Sequence, residues 1–380
     1  MSANTTSAPF SRAVVRAMKR LYPQALSDSS WDNTGLLLEP PFIPSRRQSN
    51  VILLTIDLTR AVAEEAISLN SSIIVAYHPI IFRGLKSLTL ANSQQETLLR
   101  LASHGISVYS PHTAIDAAKG GLGDWLADIV TGTKTTFGPI AGGDVESSPE
   151  RVQKQLKRKD SDDPFTDKQL RPPVYTLHNH PSQTHIRVSK TTSPTQSTTP
   201  HSRRPIVPQS PEIEGHPGAG MGRIVTFEHP QPLPALLDRI GKGLNNPKGF
   251  PIAIPQGSTI SDISISSVGI CAGSGGTLLS DLSVDLLFTG EMSHHEALAA
   301  IEKGQVVISL FHSNSERGFL SEVLMGQLED AVTEEWGKVR GEEEGGDGEG
   351  VSEAYEEVDF EVHVSEVDRD PYGIVVLREE

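Results

Sequence analysis

An α/β fold built from two α/β units is the class this sequence predicts, and three observations carry the prediction. Short apolar runs alternate with helical stretches over roughly residues 10–130, and the same alternation resumes near Gly220. Between the two lies a stretch dominated by Pro, Ser, Thr and Gln that offers no apolar face. With 380 residues, 37% of them hydrophobic and 21% charged, the chain is long enough to bury two cores.

The first unit spans 10–145. Val14, Val15, Met18 and Leu21 recur near helical spacing. Arg12, Arg16, Lys19 and Arg20, with no acid before Asp28, also match the composition of a mitochondrial presequence. A surface helix is favoured, because the pattern runs straight into an ordered-looking segment. Trp31-Asp-Asn is expected to form a helix-to-strand corner with Trp31 in the core. Val51–Ile56 reads as a buried strand; Asp57 at its end could support a ligand from behind, and capping the helix that follows is the safer expectation. Ile73–Ala76 is a second strand leading into Tyr77 and His78. A helix over Glu96–Ser103 then leads to a third strand, Ile106–Tyr109, which ends at His112. Strands alternating with helices imply a parallel sheet, with functional side chains just past the strands' carboxyl ends. His78 and His112 both fall there.

Residues 146–217 read as a disordered Pro/Ser-rich insert, since they cannot bury enough surface to offset ordering entropy. His178, His180, His185 and His201 inside it read as solvated. The second unit, 218–332, holds strands at Arg223–Phe227, Ile263–Ile270, Leu286–Phe288 and Val306–Leu310, and helices at Pro232–Leu244 and His294–Lys303. An acidic linker is expected over 333–358. Strands at Phe360–Val364 and Gly373–Leu377 should form a hairpin-like end, 359–380, that pairs with an existing sheet.

Charge and cysteine content narrow the chemistry. The formal net charge is −15, yet residues 341–380 alone hold 15 Asp and Glu against two basic residues, so the body is nearly neutral. No basic footprint for nucleic acid remains, and no direct nucleic-acid binding is expected. No apolar run approaches the ~20 residues that span a bilayer, so no membrane partner is expected. A single cysteine, Cys271, excludes a Cys-rich zinc module and points to a reducing, cytoplasmic compartment. Any metal must use imidazole and carboxylate ligands, which suits Zn, Fe or Mn.

Two segments, His112-Thr-Ala-Ile-Asp116 and His312-Ser-Asn-Ser-Glu316, each place an imidazole four residues before a carboxylate. On one helical turn such a pair reaches the same face and can hold one ion. Both follow strand ends in their units, as does His78. Spacing alone leaves two readings open: a metal site, or histidines bonded to backbone carbonyls beside carboxylates that cap helices.

Five further segments bear on the choice. Trp31-Asp-Asn-Thr-Gly-Leu36, Tyr77-His-Pro-Ile-Ile-Phe82, Tyr109-Ser-Pro-His-Thr-Ala-Ile-Asp-Ala-Ala118, Thr289-Gly-Glu-Met-Ser-His-His295 and His312-Ser-Asn-Ser-Glu-Arg-Gly-Phe319 follow one another in this order. They resemble the motifs of the NGG-one-interacting factor three family, whose bacterial members carry the label GTP cyclohydrolase 1 type 2, and the eukaryotic branch matches best. The resemblance covers 10–145, 218–332 and, more loosely, the last twenty residues. It implies two related α/β domains packed around an interdomain dinuclear metal site, and ring-shaped homo-oligomers, commonly hexamers. It implies His78, Asp116, His312 and Glu316 as ligands of one or two divalent ions, with Asp116 and Glu316 also catalytic. Bacterial members carry a His-His pair where this chain has Tyr77-His78. Tyr77 is expected to pack rather than ligate, and His112 or His294 could compensate.

Secondary features complete the reading. Gly273, Gly275 and Gly276 precede a helix expected over Thr277–Leu282 and could hold an anion, as could Arg317, although a packing turn and a surface ion pair serve equally well. At most one of His294 and His295 should line the site. Asp32 supporting a ligand is a minority reading. Two functions compete: a metal-dependent hydrolase of a nucleotide or related phosphorylated heterocycle, and a non-catalytic metal carrier or regulatory, transcription-related protein with protein partners. The family name keeps the nucleus, and the basic N-terminus the mitochondrion, beside the cytoplasm as locations.

Overall fold

The computed structural model describes residues 7–133, 198–245, 247, 249–342 and 352–374. Two sheets form the α/β frame. The first has the order β1-β4-β3-β2-β13. Its members are β1 (Gly35–Leu38), β2 (Ser49–Thr55), β3 (Ser71–Ala76), β4 (Ser107–Ser110) and β13 (Glu361–Val364). All run parallel except β1, which is antiparallel to β4. The second sheet has the order β5-β8-β10-β11-β12-β9. It contains β5 (His201–Arg204), β8 (Arg223–Pro232), β9 (Ile252–Ala253), β10 (Ser264–Ser274), β11 (Leu286–Glu291) and β12 (Val306–Ser309). Only β10, β11 and β12 are mutually parallel. A small ribbon pairs β6 (Val207–Pro208) with β7 (Gly220–Met221).

The fully buried strands divide their side chains by parity. Ile52 and Leu54 of β2 join the main core, whereas Leu53 joins a satellite core under helices α2 (Arg60–Ser68) and α3 (Ser93–His104). In the second sheet Phe288 points to the main core and Leu287 to the opposite face. That main core takes residues from both sheets and from helices α1 (Pro9–Leu21), α5 (Leu122–Thr131) and α6 (Leu233–Gly243). The long helix α9 (Met325–Glu342) closes it against α1.

Several expectations change here. The N-terminal helix is no surface helix: Ala13, Val14, Ala17 and Met18 are wholly buried, and Phe10 meets Trp336 of α9 edge to face at 5.4 Å. Trp31 is not in the core but 50% exposed. Residues 198–217, assigned to the insert, contain β5, which pairs with β8. The edge-strand ladder supplies what composition could not, and it places His201 opposite Phe227. The rest of the insert, with His178, His180 and His185, lies outside the described residues. The expected acidic linker is helical through Glu342, because Val332, Trp336 and Val339 form a buried stripe along it. At the C-terminus, β13 pairs with an existing sheet as expected, adding in parallel to β2, while most of the second expected strand, Gly373–Leu377, lies outside the described residues. No helix among the described residues is long and apolar enough to cross a membrane.

One buried cation ties the two units together. Arg223, 2% exposed, donates to the carbonyls of Gly220, Gly222 and Ala118 and to both oxygens of Asp124. Burial pushes the Asp124 carboxyl up, but the Arg223 hydrogen bond and charge, the Gly120 amide and Arg203 outweigh it and hold it below the ordinary 3.8. Arg223→Ala leaves that carboxylate half-partnered and should cost about 3–5 kcal/mol in urea unfolding at neutral pH. Because Asp124 is depressed, its contribution is full above the ordinary aspartate value and disappears as pH falls through the folded one. The gap between wild type and variant should therefore narrow in strong acid, and a gap that stays constant would show that Asp124 is not involved.

Candidate metal centre

Two strand ends deliver the centre. Past β3, Tyr77 and His78 follow the last parallel pair. Past β12, Phe311 turns at φ 67° and presents His312, after which Ser313–Ser315 makes a 3₁₀ turn that brings Glu316 back under His312. Glu316 is 1% exposed, and its carboxylate lies between the two imidazoles: Oε2 is 3.6 Å from His78 Nε2 and Oε1 is 3.6 Å from His312 Nε2. The three ligand atoms of His78, His312 and Glu316 lie within 4.8 Å of one another, so this group could hold a metal ion. Glu316 Oε2 has no hydrogen-bond partner.

Each imidazole is held from behind by a carboxylate. His78 Nδ1 is 2.9 Å from Asp57 Oδ1, and His312 Nδ1 is 2.9 Å from Glu291 Oε1. A carboxylate on Nδ1 fixes the tautomer that leaves Nε2 free for a metal. Asp57 thus orients an imidazole, whereas the α2 cap is Thr59, whose side chain accepts from the Val62 amide. Burial pushes Asp57 up, but the His78 hydrogen bond and the charges of His78, Arg317 and His312 hold its carboxyl below the usual value.

Asp116 stands next to this group but outside it. It lies in the helix α4 (Thr113–Ala117), and its Oδ1 accepts the Tyr77 hydroxyl at 2.7 Å. Burial raises the Asp116 pKa against the lowering effect of His112, the Tyr77 hydrogen bond and His78. Tyr77 is 3% exposed and packs, as expected; burial and the charges of Asp116 and Glu316 push its phenol well up. Among the described residues, the three-residue group that could hold an ion contains neither His112 nor Asp116. His112 Nδ1 instead bonds Asp32 Oδ1 at 2.6 Å, while Asp32 Oδ2 accepts the Thr113 amide and hydroxyl. The minority reading of Asp32 as a support describes this geometry. His112 still lies 5.5 Å, ring to ring, from His78.

The other candidates go elsewhere. His294 and His295, at the start of helix α8 (His294–Glu302), are exposed, and the ring contact they make is with each other. The glycine segment makes no anion cradle. The Gly273 amide donates to Ser315 Oγ, the Gly275 amide to the Glu291 carbonyl, and a Cβ on Gly276 would strike the Glu296 carboxylate. The helix that follows, α7 (Gly276–Leu279), has only four residues. Gly273 is instead the wall of the centre: at φ 58°, a Cβ there would lie 2.8 Å from Glu316 Oε1 and 2.9 Å from His312 Nε2. Arg317 forms an internal ion pair with Asp368, 2.5 Å from its Oδ2, rather than a surface pair.

Asp368 and Asp370 were not legible as part of the site. Asp368 Oδ2 also accepts the Ile56 amide at 2.7 Å, and Asp370 Oδ2 accepts the Ser313 amide at 3.1 Å and its hydroxyl at 2.9 Å. The tail thereby holds the 3₁₀ turn between His312 and Glu316. Glu291 was also missed, although it lies inside a quoted motif. Cys271, on β10, has its thiol pushed up to about 12 by burial and by the charges of Asp116 and Glu316.

Burial and the nearby Asp116 and Asp57 charges push Glu316 well above the ordinary 4.5. A raised carboxyl means that the folded chain holds more protons than the unfolded one from about that value upward. Stability must therefore fall as pH rises through the window. Glu316→Gln should raise the melting midpoint of chelator-treated protein at neutral pH by about 1–2 °C per kcal/mol relieved and flatten its pH dependence. Differential scanning calorimetry across pH 5–8 decides the matter; an equal loss of stability at every pH would contradict it.

A family model described as Duf34/NIF3 (NGG1p interacting factor 3) matches residues 11–340. Protein NIF3 homolog from Schizosaccharomyces pombe is 39% identical over 325 residues, covering 85% of this chain and 90% of its own. NGG1-interacting factor 3 from Saccharomyces cerevisiae is 34% identical over 324 residues, covering 83% and 90%. Among solved structures, a Staphylococcus aureus hypothetical protein aligns over 97% of this chain and 100% of its own, with TM-score 0.58 and 18% identity. A Bacillus cereus protein related to NIF3 aligns over 98% and 100%, with TM-score 0.57 and 18% identity, a likeness of fold. With the family model spanning most of its length and relatives above 30% identity, this chain belongs to the NIF3 family.

Proposed function

We propose that this chain is a divalent-metal protein that uses the His78, His312 and Glu316 group for hydrolysis of a nucleotide or related phosphorylated heterocycle. The observation that carries the reading is the Glu316 carboxylate, 1% exposed, whose two oxygens each face one imidazole and whose Oε2 has no hydrogen-bond partner. A buried carboxylate oxygen without a partner is costly, and a cation satisfies it while binding both Nε2 atoms. Zn, Fe or Mn suits that nitrogen and oxygen donor set. A bound divalent ion would supply Lewis acidity and a nucleophile available at neutral pH.

The chain's own residues have separable tasks. Asp57 and Glu291 keep the imidazoles oriented. Gly273 brings the main chain close against Glu316 and His312 on one side. Asp116, whose carboxyl is raised by burial, is suited to hold and return a proton, with Tyr77 fixing its Oδ1. One observation favours a second reading, a metal carrier without turnover. Tyr77 engages the carboxylate that a second ion would need, which suits a single ion better than a pair. The homo-oligomer implied by the family resemblance belongs to both readings.

Metal content separates the outcomes. Protein purified under mild conditions should carry at least one equivalent of metal by plasma mass spectrometry. His312→Ala and Glu316→Ala should each lose it, and Asp57→Asn should weaken binding about 10–100-fold. Turnover of GTP or a generic phosphoester that survives Glu316→Ala would sink the hydrolase reading. Stoichiometric metal with no turnover would favour the carrier.

A further inference from the structure

We propose that Trp31 and Phe82 form a stacking subsite beside the metal centre, and that its ligand is a planar heterocycle carrying an anionic group, a nucleoside phosphate in chemical class. Tryptophan is usually largely buried, so one that is half exposed beside a cluster of polar groups calls for an explanation. Trp31 is 50% exposed and Phe82 44%. Their rings lie 5.9 Å apart and tilted by 45°, and Trp31 meets the edge of His112 at 5.8 Å. His112 lies 5.5 Å from His78, which lies 5.2 Å from His312. A continuous row of rings thus runs from the metal group to the exposed pair.

The exposed ring is presented by a fixed frame. Asp32, the next residue, is locked to His112 and to the amide and hydroxyl of Thr113. Asn33 donates its side-chain amide to the Ile81 carbonyl, which ties the Trp31 segment to the one carrying Phe82. The Trp31 amide itself donates to Asp28. An apolar ring held this firmly in water is preorganised for a contact. Its surroundings choose the partner. Arg83 and Lys86 follow Phe82 in an exposed stretch, 82–92, that contains no acid, and neither has an ion-pair partner among the described residues. Two exposed cations one and four residues after Phe82 match a ring bearing phosphate, and base–aromatic stacking is sequence-tolerant. The proposal rests on the hydrolase reading only for the direction in which the phosphate would point.

Titrating the full-length protein with GMP, guanosine and ribose 5-phosphate tests it. Trp125 and Trp336 are each 2% exposed, so quenching of tryptophan emission by a stacked base reports Trp31. GMP should quench saturably, and ribose 5-phosphate should not. By equilibrium dialysis, Trp31→Ala and Phe82→Ala should each lose about tenfold or more in GMP affinity, while Trp31→Phe keeps binding but loses the quench. Arg83→Ala with Lys86→Ala should weaken GMP and leave guanosine unchanged. Unchanged GMP affinity in Trp31→Ala overturns the proposal, as does equal binding of ribose 5-phosphate. Dissociation of a homo-oligomer by Trp31→Ala with GMP binding intact also overturns it, by showing that another copy covers the rings. Metal content is read separately. GMP binding through Trp31 in a protein that holds no metal would sink the hydrolase and keep the subsite, whereas metal-loaded protein indifferent to Trp31 would sink the subsite alone.

Discussion

Glu316 keeps a carboxyl group almost wholly out of water, with one oxygen unbonded, beside the second carboxyl of Asp116. Two such groups close together in a low-dielectric interior cannot both carry charge without cost. Much of the surrounding construction follows from that. Two imidazoles face the Glu316 oxygens, and each is backed by its own carboxylate, Asp57 or Glu291. The main chain comes close at Gly273, where no side chain would fit between Glu316 and His312. Neutralisation by a proton relieves the strain in one way, and neutralisation by a cation relieves it in another. The same group is therefore a burden on the metal-free fold and an asset to a metal-bound one.

Parts distant in sequence converge to hold this arrangement. Asp368, well past α9, bonds both Arg317, the neighbour of Glu316, and the Ile56 amide, the neighbour of Asp57. Asp370 caps the turn that separates His312 from Glu316. Strand β13 anchors this tail to β2 just before the crossing, and Phe311 stacks on Tyr372 just after it. The two sheets thus share a brace as well as a core, and the brace touches the sequence neighbours of the proposed ligands. A carboxylate in such a place positions others and needs no contact with a ligand of its own.

What the sequence revealed follows from how local each signal is. The buried strands at Val51–Ile56 and Ile73–Ala76 declared themselves through unbroken apolar runs, and His78 and His312 through their place at strand ends. Family membership, expected from five ordered motifs, is borne out by the family match and the relatives. Long-range pairing was not legible. His201–Arg204 is polar and becomes a strand only because β8 offers an edge. The acidic stretch after 333 looked like linker because its apolar stripe is thin; it is α1 that makes Val332 and Trp336 core residues. Trp31 was misplaced for the opposite reason. Hydrophobicity predicts burial on average, but a ring held at the rim of a site breaks that average.

Tyr77 shows how one side chain can alter the capacity of such a centre. A histidine at that position would offer a nitrogen donor to an ion lying between it and Asp116. The phenol instead donates its proton to Asp116 Oδ1, and the two carboxylates nearby push its pKa further from ionisation. To bind a second ion, the chain would have to break that hydrogen bond and deprotonate a buried phenol or bypass it, and both steps oppose binding. A first ion would meet no such obstacle, since the ligand atoms of His78, His312 and Glu316 already lie within 4.8 Å of one another. Occupancy of the first ion would also add positive charge near Tyr77 and Asp116, favouring the ionised form of both. In the proposed metal centre the Tyr77–Asp116 hydrogen bond therefore works against a second ion and not against the first.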